Sequence, residues 1–235
     1  MSNFDILAKP YAILEYLTFG PLLWRTRITH IEALANSRRV LLAGDGDGRF
    51  LAELHQRYPH LDLHYLDASP AMLQEAQRRC PQATFHQATL PKANLPPAHY
   101  DAIVTHFFLD CFTPESLPQV IENLAQAATP QALWIISDFK PTPHLWGRLV
   151  VALLYKSFRL ITGLKANRLT PYEVHLQTAG FTLYRTTSSC RSLLSAEHWQ
   201  RNLSPQSVLP PAAPSHNDSS AHPQTHTPQF PHPTT

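Results

Sequence analysis

The feature that most constrains the fold is a glycine-rich turn that directly follows a short apolar strand. The strand pattern Arg39–Ala43 reads RVLLA and leads without a spacer into Gly44-Asp45-Gly46-Asp47-Gly48. A helical pattern follows from Arg49 to Tyr58, with its apolar residues on one face. Strand, glycine turn and helix in this order predict a βα unit with a ligand lying over the turn, because side chains there would collide with that ligand.

The same alternation of strands and helices continues along the chain. Further strand patterns lie at 61–66, 83–87, 100–105 and 133–138, and two late ones near 181–187 and 192–199 predict a closing hairpin. Helices are predicted to begin at Ser69-Pro70, at Thr113-Pro114 and at the capping box Thr170–Glu173, the last ending at Gly180. Strands separated by helices imply right-handed βαβ crossovers. We therefore expect an α/β, doubly wound, mostly parallel sheet with helices on both faces.

Three regions follow from the composition of successive segments. Residues 1–38 form a predicted helical cap, with a helix from Tyr11 to about Ala35 that is broken at Gly20-Pro21. Residues 39–203 form the predicted main domain. Residues 204–235 are rich in Pro, Ser, Thr and His. They are predicted to be disordered, because they cannot bury enough apolar surface to offset their ordering entropy.

Charge and cysteine content narrow the class of partner. The formal net charge of +2 is too small to indicate binding to nucleic acid. Three cysteines, far apart in sequence, provide neither a disulfide framework nor a CxxC metal site, so no metal is expected. The chain begins without a secretory signal pattern and contains no apolar run of the ~18 residues needed to span a membrane. We expect a cytoplasmic protein.

An acid at the end of the second strand pattern points to a nucleoside. Asp67 is placed to accept hydrogen bonds from two ribose hydroxyls. The turn has GxGxG spacing rather than the dinucleotide fingerprint GxGxxG, since the sixth place is Arg49. Asp45 and Asp47 would repel a diphosphate but tolerate a cationic sulfonium. The pattern favours S-adenosylmethionine over a dinucleotide.

At this point the chain resembles the class I S-adenosylmethionine-dependent methyltransferases over roughly residues 39–199. The resemblance rests on VLLAGDGDGRF, LHYLDASPAML, YDAIVTHFFLD and LWIISDF. It implies a Rossmann-like sheet of seven strands, one of them antiparallel. It also implies that the three glycines of the turn face the methionine part of the cofactor and that Asp67 holds the ribose. The expected cofactor-binding residues are Gly44, Asp45, Gly46, Gly48, Asp67, Ala68, Ser69, Met72, Thr89 and Thr105, with Ala68, Ser69 and Met72 flanking the adenine.

Two positions depart from the pattern of that family. Leu42 stands where the family usually has an acid two residues before the first glycine. Ala88-Thr89 stands where an Asp often holds the adenine amino group, although Thr89 offers a hydroxyl. These departures keep open an inactive cofactor-binding relative. An aminopropyl transferase, whose family has a similar GGGDGG turn, is a second alternative.

The residues that follow the fourth strand are the candidates for chemistry. The segment Thr105–Asp110 reads THFFLD, and the acceptor pocket of this fold lies beside it. His106 is the candidate base, with Asp110 as its partner or as a substrate anchor. The alternative is that His106 packs against the cofactor and Asp110 caps a loop. The segment lacks the (D/N)PP(Y/F) motif of amino-directed DNA methyltransferases and the Pro-Cys nucleophile of cytosine enzymes.

A long amphipathic helix is predicted over residues 145–161. Its apolar face and basic flanks would suit a lid over an apolar, quinone-like or lipid-like acceptor, or peripheral contact with a membrane surface. The alternative is an ordinary helix that covers the sheet. The sequence therefore predicts a methyltransferase that moves a methyl group to a small-molecule acceptor.

Overall fold

The structure, a computed structural model, describes residues 21–140 and 170–202. Seven strands form one sheet: β1 Arg39–Ala43, β2 Asp62–Asp67, β3 Thr84–Gln87, β4 Tyr100–His106, β5 Ala128–Phe139, β6 Phe181–Ser189 and β7 Leu194–Arg201. The α-helices of this part are α1 Pro21–Ile28, α2 Arg49–Arg57, α3 Pro70–Arg79, α4 Leu117–Ala127 and α5 Glu173–Thr178. Short 3₁₀ turns at Ile31–Leu34 and Leu109–Cys111 complete it.

The strand order is β3-β2-β1-β4-β5-β7-β6, and it confirms the predicted doubly wound fold. β1 pairs in parallel with β2 on one side and β4 on the other, so the order reverses between β1 and β4. β7 is antiparallel to both β5 and β6, and β6 and β7 form the predicted hairpin. Ligands of such sheets lie at the carboxyl ends of the strands beside the reversal, where the glycine turn lies.

Each face of the sheet carries its own hydrophobic core, which confirms that helices cover both faces. One core joins the sheet to α2 and α3 through Phe50, Leu54 and Ala76. The other joins it to α4 and α5 through Ile121, Leu124 and Leu176. Period-two alternation along the central strands supplies both cores, because successive side chains point to opposite faces.

Helix starts were predicted correctly only in part. Ser69 caps α3, since its hydroxyl accepts a hydrogen bond from the Met72 backbone N–H at 3.3 Å and Pro70 is the first helical residue. The predicted start at Thr113 is wrong, because α4 begins at Leu117. The predicted capping box at Thr170 is also wrong: α5 begins at Glu173, and its N-cap Tyr172 makes no side-chain capping bond. Proline after a hydroxyl residue therefore marks a turn as readily as a helix start.

Several predictions fall outside the described residues. These are the first part of the N-terminal helix (11–20), the amphipathic helix 145–161 and the tail 204–235. The domain limits 1–38, 39–203 and 204–235 remain predictions. Among residues 21–140 and 170–202, no helix is both long and apolar enough to cross a membrane.

Candidate cofactor and acceptor site

The three glycines of the turn have left-handed backbones for different reasons. Their φ angles are +65° at Gly44, +76° at Gly46 and +78° at Gly48. A Cβ on Gly48 would lie 2.6 Å from Ala76, so this glycine lets α2 and α3 approach each other. A Cβ on Gly44 would lie 2.0 Å from the ring of Phe108. A Cβ on Gly46 would meet no described atom within 4 Å, so Gly46 borders the open space above the turn.

Two arginines and a tyrosine fix the shape of the turn. Arg79 donates from Nε to the Asp47 carbonyl and from a terminal nitrogen to Asp47 Oδ2, both at 3.0 Å. Arg49 Nε donates to Asp47 Oδ1 at 3.0 Å, and the Tyr65 hydroxyl donates to the Gly46 carbonyl. The charge of Asp47 is therefore compensated, contrary to the expectation that it would stand in the turn as a repelling charge. Sequence reasoning missed Arg79 and Tyr65, which lie 32 and 19 residues from their partners.

Asp45 forms a buried pair with the predicted base. His106 Nδ1 lies 3.0 Å from Asp45 Oδ1, and both side chains are 0% exposed. The edge of the Phe50 ring packs on the imidazole, with centroids 4.4 Å apart. Burial lowers the pKa of His106, and the hydrogen bond to Asp45 opposes this. The structure corrects the expected pairing, because the partner of His106 is Asp45 and not Asp110.

This pair leaves two buried polar atoms without hydrogen bonds in the described chain, Asp45 Oδ2 and His106 Nε2. Leu42, which stands at the usual position of the family's acid, is fully buried in the core against α2. The carboxylate near the first glycine of the turn is therefore that of Asp45, which follows Gly44, and not one at position 42. A fully enclosed imidazole is poorly placed to take a proton from an acceptor, so the geometry favours a structural role for His106.

Asp67 ends β2 at the same edge of the sheet. Its Oδ1 accepts a hydrogen bond from the Ser69 backbone N–H at 2.8 Å. Burial raises the pKa of Asp67 to about 6, the nearby Asp45 adds to the rise, and the backbone N–H groups of Ser69 and Ala68 oppose it. The residue is nevertheless partly exposed, and Ala68 beside it is exposed. Ser69 and Met72 are buried, with the Ser69 hydroxyl used as the cap of α3.

The two predicted threonines lie apart from this group. Thr89 is exposed in the connection after β3. Thr105 is 1% exposed, and its hydroxyl accepts a hydrogen bond from the Trp134 indole at 3.0 Å. The cofactor roles of both stay predictions. Beside the connection lies a cavity of about 350 Å³ lined by Leu66, Ala88 and other residues of β2–β4 and the β3–β4 connection.

Aromatic side chains surround the carboxyl ends of β4 and β5. Phe107 has a left-handed backbone with φ +50°, and its ring lies 5.2 Å from that of Phe139. Phe108 packs edge-on against Phe112 at 5.0 Å. All four rings are partly exposed, and so is Asp110 in the 3₁₀ turn that follows them. This edge of the sheet therefore presents an apolar surface with a carboxylate beside it.

A polar network lies next to this aromatic surface and was not predicted. Lys140, just after β5, forms ion pairs with Glu173 and, at 2.8 Å, with Glu197 of β7. The ammonium of Lys140 also lies 4.1 Å from the centroid of the Tyr172 ring. Glu197 accepts further hydrogen bonds from the Trp199 indole at 2.8 Å and from the Tyr172 hydroxyl at 3.2 Å. Its members lie far apart in sequence, so no local motif marks it.

Comparison with known proteins shows which family the central part of the chain resembles. Residues 40–131 match a family model described as a methyltransferase domain. These residues, which span β1 from Val40 to β4 and include the glycine turn, are similar to the S-adenosylmethionine-dependent methyltransferases. The chain is 30% identical over 109 residues to demethylmenaquinone methyltransferase of Thermotoga maritima, covering 46% of this chain and 48% of the relative.

A second curated relative and a solved structure are also methyltransferases. Malonyl-[acyl-carrier protein] O-methyltransferase of Halorhodospira halophila is 28% identical over 145 residues, which are 59% of this chain and 47% of that protein. The chain thus spans about half the length of the curated relatives it matches. Magnesium protoporphyrin IX methyltransferase from Synechocystis, solved with bound S-adenosylhomocysteine, has the same fold with a TM-score of 0.58 at 24% identity, covering 75% of this chain and 82% of that one.

The observed residues fit S-adenosylmethionine, the cofactor expected from the sequence. The open backbone at Gly46 admits a ligand, and Asp67 presents a carboxylate at the end of the neighbouring strand. Within residues 21–140 and 170–202, no group of three His, Cys, Asp or Glu side chains is placed to hold a metal ion.

Proposed function

We propose that this methyltransferase transfers the methyl group of S-adenosylmethionine to a small, apolar acceptor of quinone or lipid type. The observation that carries the proposal is the open backbone of the glycine turn at Gly46, beside the strand-terminal Asp67. In this arrangement Gly44, Gly46 and their backbone groups border the methionine part of the cofactor, and Asp67 accepts hydrogen bonds from the ribose hydroxyls. When bound, S-adenosylmethionine supplies a methyl group on a cationic sulfur.

The buried pair of Asp45 and His106 holds the turn in its binding shape in this proposal. A carboxylate next to the first glycine also places negative charge near a cationic ligand, which favours binding by Coulomb attraction. Asp45 thereby takes the position of an acid that Leu42 does not supply. The protein's remaining task is positioning, because holding two reactants in line contributes up to ~7–11 kcal/mol to the barrier reduction.

The aromatic edge supports an apolar acceptor. Four phenylalanines, at 107, 108, 112 and 139, line the carboxyl ends of β4 and β5. Flat rings favour stacking against another ring system. The relative from Thermotoga maritima is named for a quinone substrate, which agrees with this surface. Asp110, beside the rings, is the predicted group that anchors the acceptor.

Titration calorimetry with S-adenosylhomocysteine and S-adenosylmethionine tests the cofactor assignment. Saturable binding is expected, and its absence at millimolar ligand would reject the proposal. Decarboxylated S-adenosylmethionine binding more tightly than S-adenosylmethionine would instead favour the aminopropyl transferase.

Methyl transfer is tested with labelled S-adenosylmethionine and a panel of quinols, phenols, lipids and carboxylic acids. Transfer to the quinols or other apolar acceptors supports the acceptor class. Binding of the cofactor without transfer to any member of a broad panel would favour an inactive relative.

A further inference from the structure

An aromatic side chain lies directly over the first glycine of the turn. The Cδ2 and Cε2 atoms of Phe108 lie 2.0 and 2.3 Å from the point that a Cβ on Gly44 would occupy. The ring therefore packs directly on the Gly44 backbone. Both residues are partly exposed, so a ligand that lies over the turn can contact this ring.

The surroundings of Phe108 hold its ring in this place. Phe107, which follows β4, has a left-handed backbone with φ +50°, and its N–H donates to the Ser137 carbonyl at 2.7 Å. The Phe108 ring packs against the hydrophobic core on the α4 face and edge-on against Phe112. It is thus fixed between the glycine turn and the aromatic surface of the proposed acceptor site.

The strand order places this ring on the opposite side of the turn from Asp67. At the carboxyl edge of the sheet, β2 with Asp67 lies on one side of β1, and β4, which Phe108 follows, lies on the other. In the proposed function, the ribose is held at Asp67 and the methionine part of the cofactor crosses the glycine turn. The sulfur that joins these two parts therefore comes next to the turn, where Phe108 lies.

The charge on that sulfur differs between the methyl donor and its product. S-adenosylmethionine carries a cationic sulfonium, whereas S-adenosylhomocysteine carries a neutral thioether. The face of an aromatic ring attracts a cation, because the ring quadrupole is negative there. The carboxylate of Asp45 is 0% exposed and bound to His106, so it cannot contact a ligand directly. The partly exposed ring on Gly44 can make such a contact.

We infer that the face of Phe108 binds the cationic sulfur of S-adenosylmethionine and thereby makes the site favour this methyl donor over its neutral product. The inference rests on the proposed cofactor and adds a residue that selects its charged form. Phe108 binds the donor in addition to its proposed apolar contact with the acceptor. The product leaves more readily, because loss of the methyl group removes the charge that the ring attracts.

Two ligands that differ in the charge on sulfur test the inference. Calorimetric titration of the full chain with S-adenosylmethionine and with S-adenosylhomocysteine gives the ratio of the two dissociation constants. Phe108→Leu keeps an apolar side chain but removes the ring. It should weaken S-adenosylmethionine about tenfold, the effect of a cation–π contact, and S-adenosylhomocysteine by less than about threefold, the effect of a thioether–ring contact.

A fluorinated ring separates charge recognition from packing. Trifluorophenylalanine in place of Phe108 keeps the shape of the ring but withdraws negative charge from its face. It should weaken S-adenosylmethionine about fivefold and leave S-adenosylhomocysteine within about twofold. Tyr184→Leu is the control, because it removes an exposed ring from β6 at the far edge of the sheet. It should leave both dissociation constants unchanged.

The outcomes distinguish this inference from the proposed function. Equal weakening of both ligands by Phe108→Leu overturns the inference, because the ring then contributes only its shape. Tighter binding of both also overturns it, since the ring then competes with the cofactor for the space over Gly44.

A parent protein that binds neither ligand defeats the proposed function itself. Binding of both with a ratio that neither change at position 108 alters defeats only the role of Phe108. If Phe108→Leu fails to fold, seen as loss of its thermal transition, the fluorinated protein still decides the question.

Discussion

Cofactor affinity should depend on pH through the carboxyl group of Asp67. Burial, with a smaller contribution from Asp45, raises the pKa of this group to about 6 in the free protein. Ribose hydroxyls donate their hydrogen bonds to the ionised form, so binding requires loss of the proton. Below pH 6 the protein must release that proton to bind, and the dissociation constant should rise about tenfold for each pH unit. Above pH 7 the constant should be flat.

Substitution of Asp67 tests its contribution to cofactor affinity and to the stability of the free protein. Asp67→Asn removes the charge from a group that accepts two hydroxyl donors, and hydrogen bonds to charged groups contribute ~1.5–3 kcal/mol, or about 10- to 150-fold in affinity. The same substitution should stabilise the free protein at pH 7. A carboxyl whose folded-state pKa of about 6 exceeds its ordinary value of 3.8 opposes folding at neutral pH. The relief is at most about 3 kcal/mol, and less because the residue is partly exposed.

Calorimetry at pH 5, 6, 7 and 8 measures how ligand affinity depends on pH. The ligand is 5′-methylthioadenosine, because it lacks the amino acid group of S-adenosylmethionine. Urea unfolding of the free protein at pH 7 measures the second. Asp62→Asn is the matched control, because Asp62 begins the same strand and its ion pair with Arg39 is at the opposite end of the sheet. A parent protein whose affinity is the same at pH 5 and pH 7, or an Asp67→Asn variant that keeps the pH dependence, would refute the reasoning.

Three further outcomes are expected. Gly48→Ala should lower the free energy of unfolding, measured in urea, by several kcal/mol, because the backbone is left-handed and the new Cβ would lie 2.6 Å from Ala76 of α3. Gly46→Ala should lower the free energy of unfolding by only about 1–2 kcal/mol, since its Cβ meets no described atom. It should nevertheless weaken the binding of S-adenosylhomocysteine, measured by calorimetry. His106→Ala should lower the free energy of unfolding by about 3–5 kcal/mol, since it strands the buried Asp45, and the double variant with Asp45→Ala should cost much less than the sum of the two. Protonation of His30, His64, His106 and His198 should favour the unfolded chain as the pH drops from 7 to 5, because burial lowers the folded-state pKa of each below 6.5. His198→Gln, compared with the parent protein so that the opposite effect of Asp67 cancels, should therefore lose less thermal stability between pH 7 and pH 5; an equal loss would contradict this.

The sequence predicts the fold well because the sheet depends on local patterns. Strand periodicity, the turn after β1 and the serine cap of α3 are each contained in fewer than ten consecutive residues, and all three appear in the structure. The wrong helix starts at Thr113 and Thr170 have the same origin. A hydroxyl residue before proline is compatible with both a turn and a helix, and packing of the chain decides between them.

The candidate site was predictable where neighbours in sequence form it. Gly46 and Asp67 could be placed because each ends or follows a strand. The pairing of His106 with Asp45 joins residues 61 positions apart, and the contacts of Arg79 span 32. Such contacts depend on strand register, which a single sequence does not reveal. The polar group around Lys140 and Glu197 was missed for this reason.

The reversal of strand order between β1 and β4 divides the sheet into two parts with different proposed roles. Nearly all residues proposed to bind the cofactor lie in one stretch of about fifty residues, from the start of β1 to the connection after β3, with Thr105 of β4 and Phe108 after it as the exceptions. The groups proposed to contact the acceptor come instead from the end of β5 and from the turn that follows β4. Substitutions in those segments, Phe108 apart, can therefore change the acceptor without altering the residues that bind the cofactor. The methyl donor of such a protein can be predicted from one local sequence motif, whereas its methyl acceptor cannot.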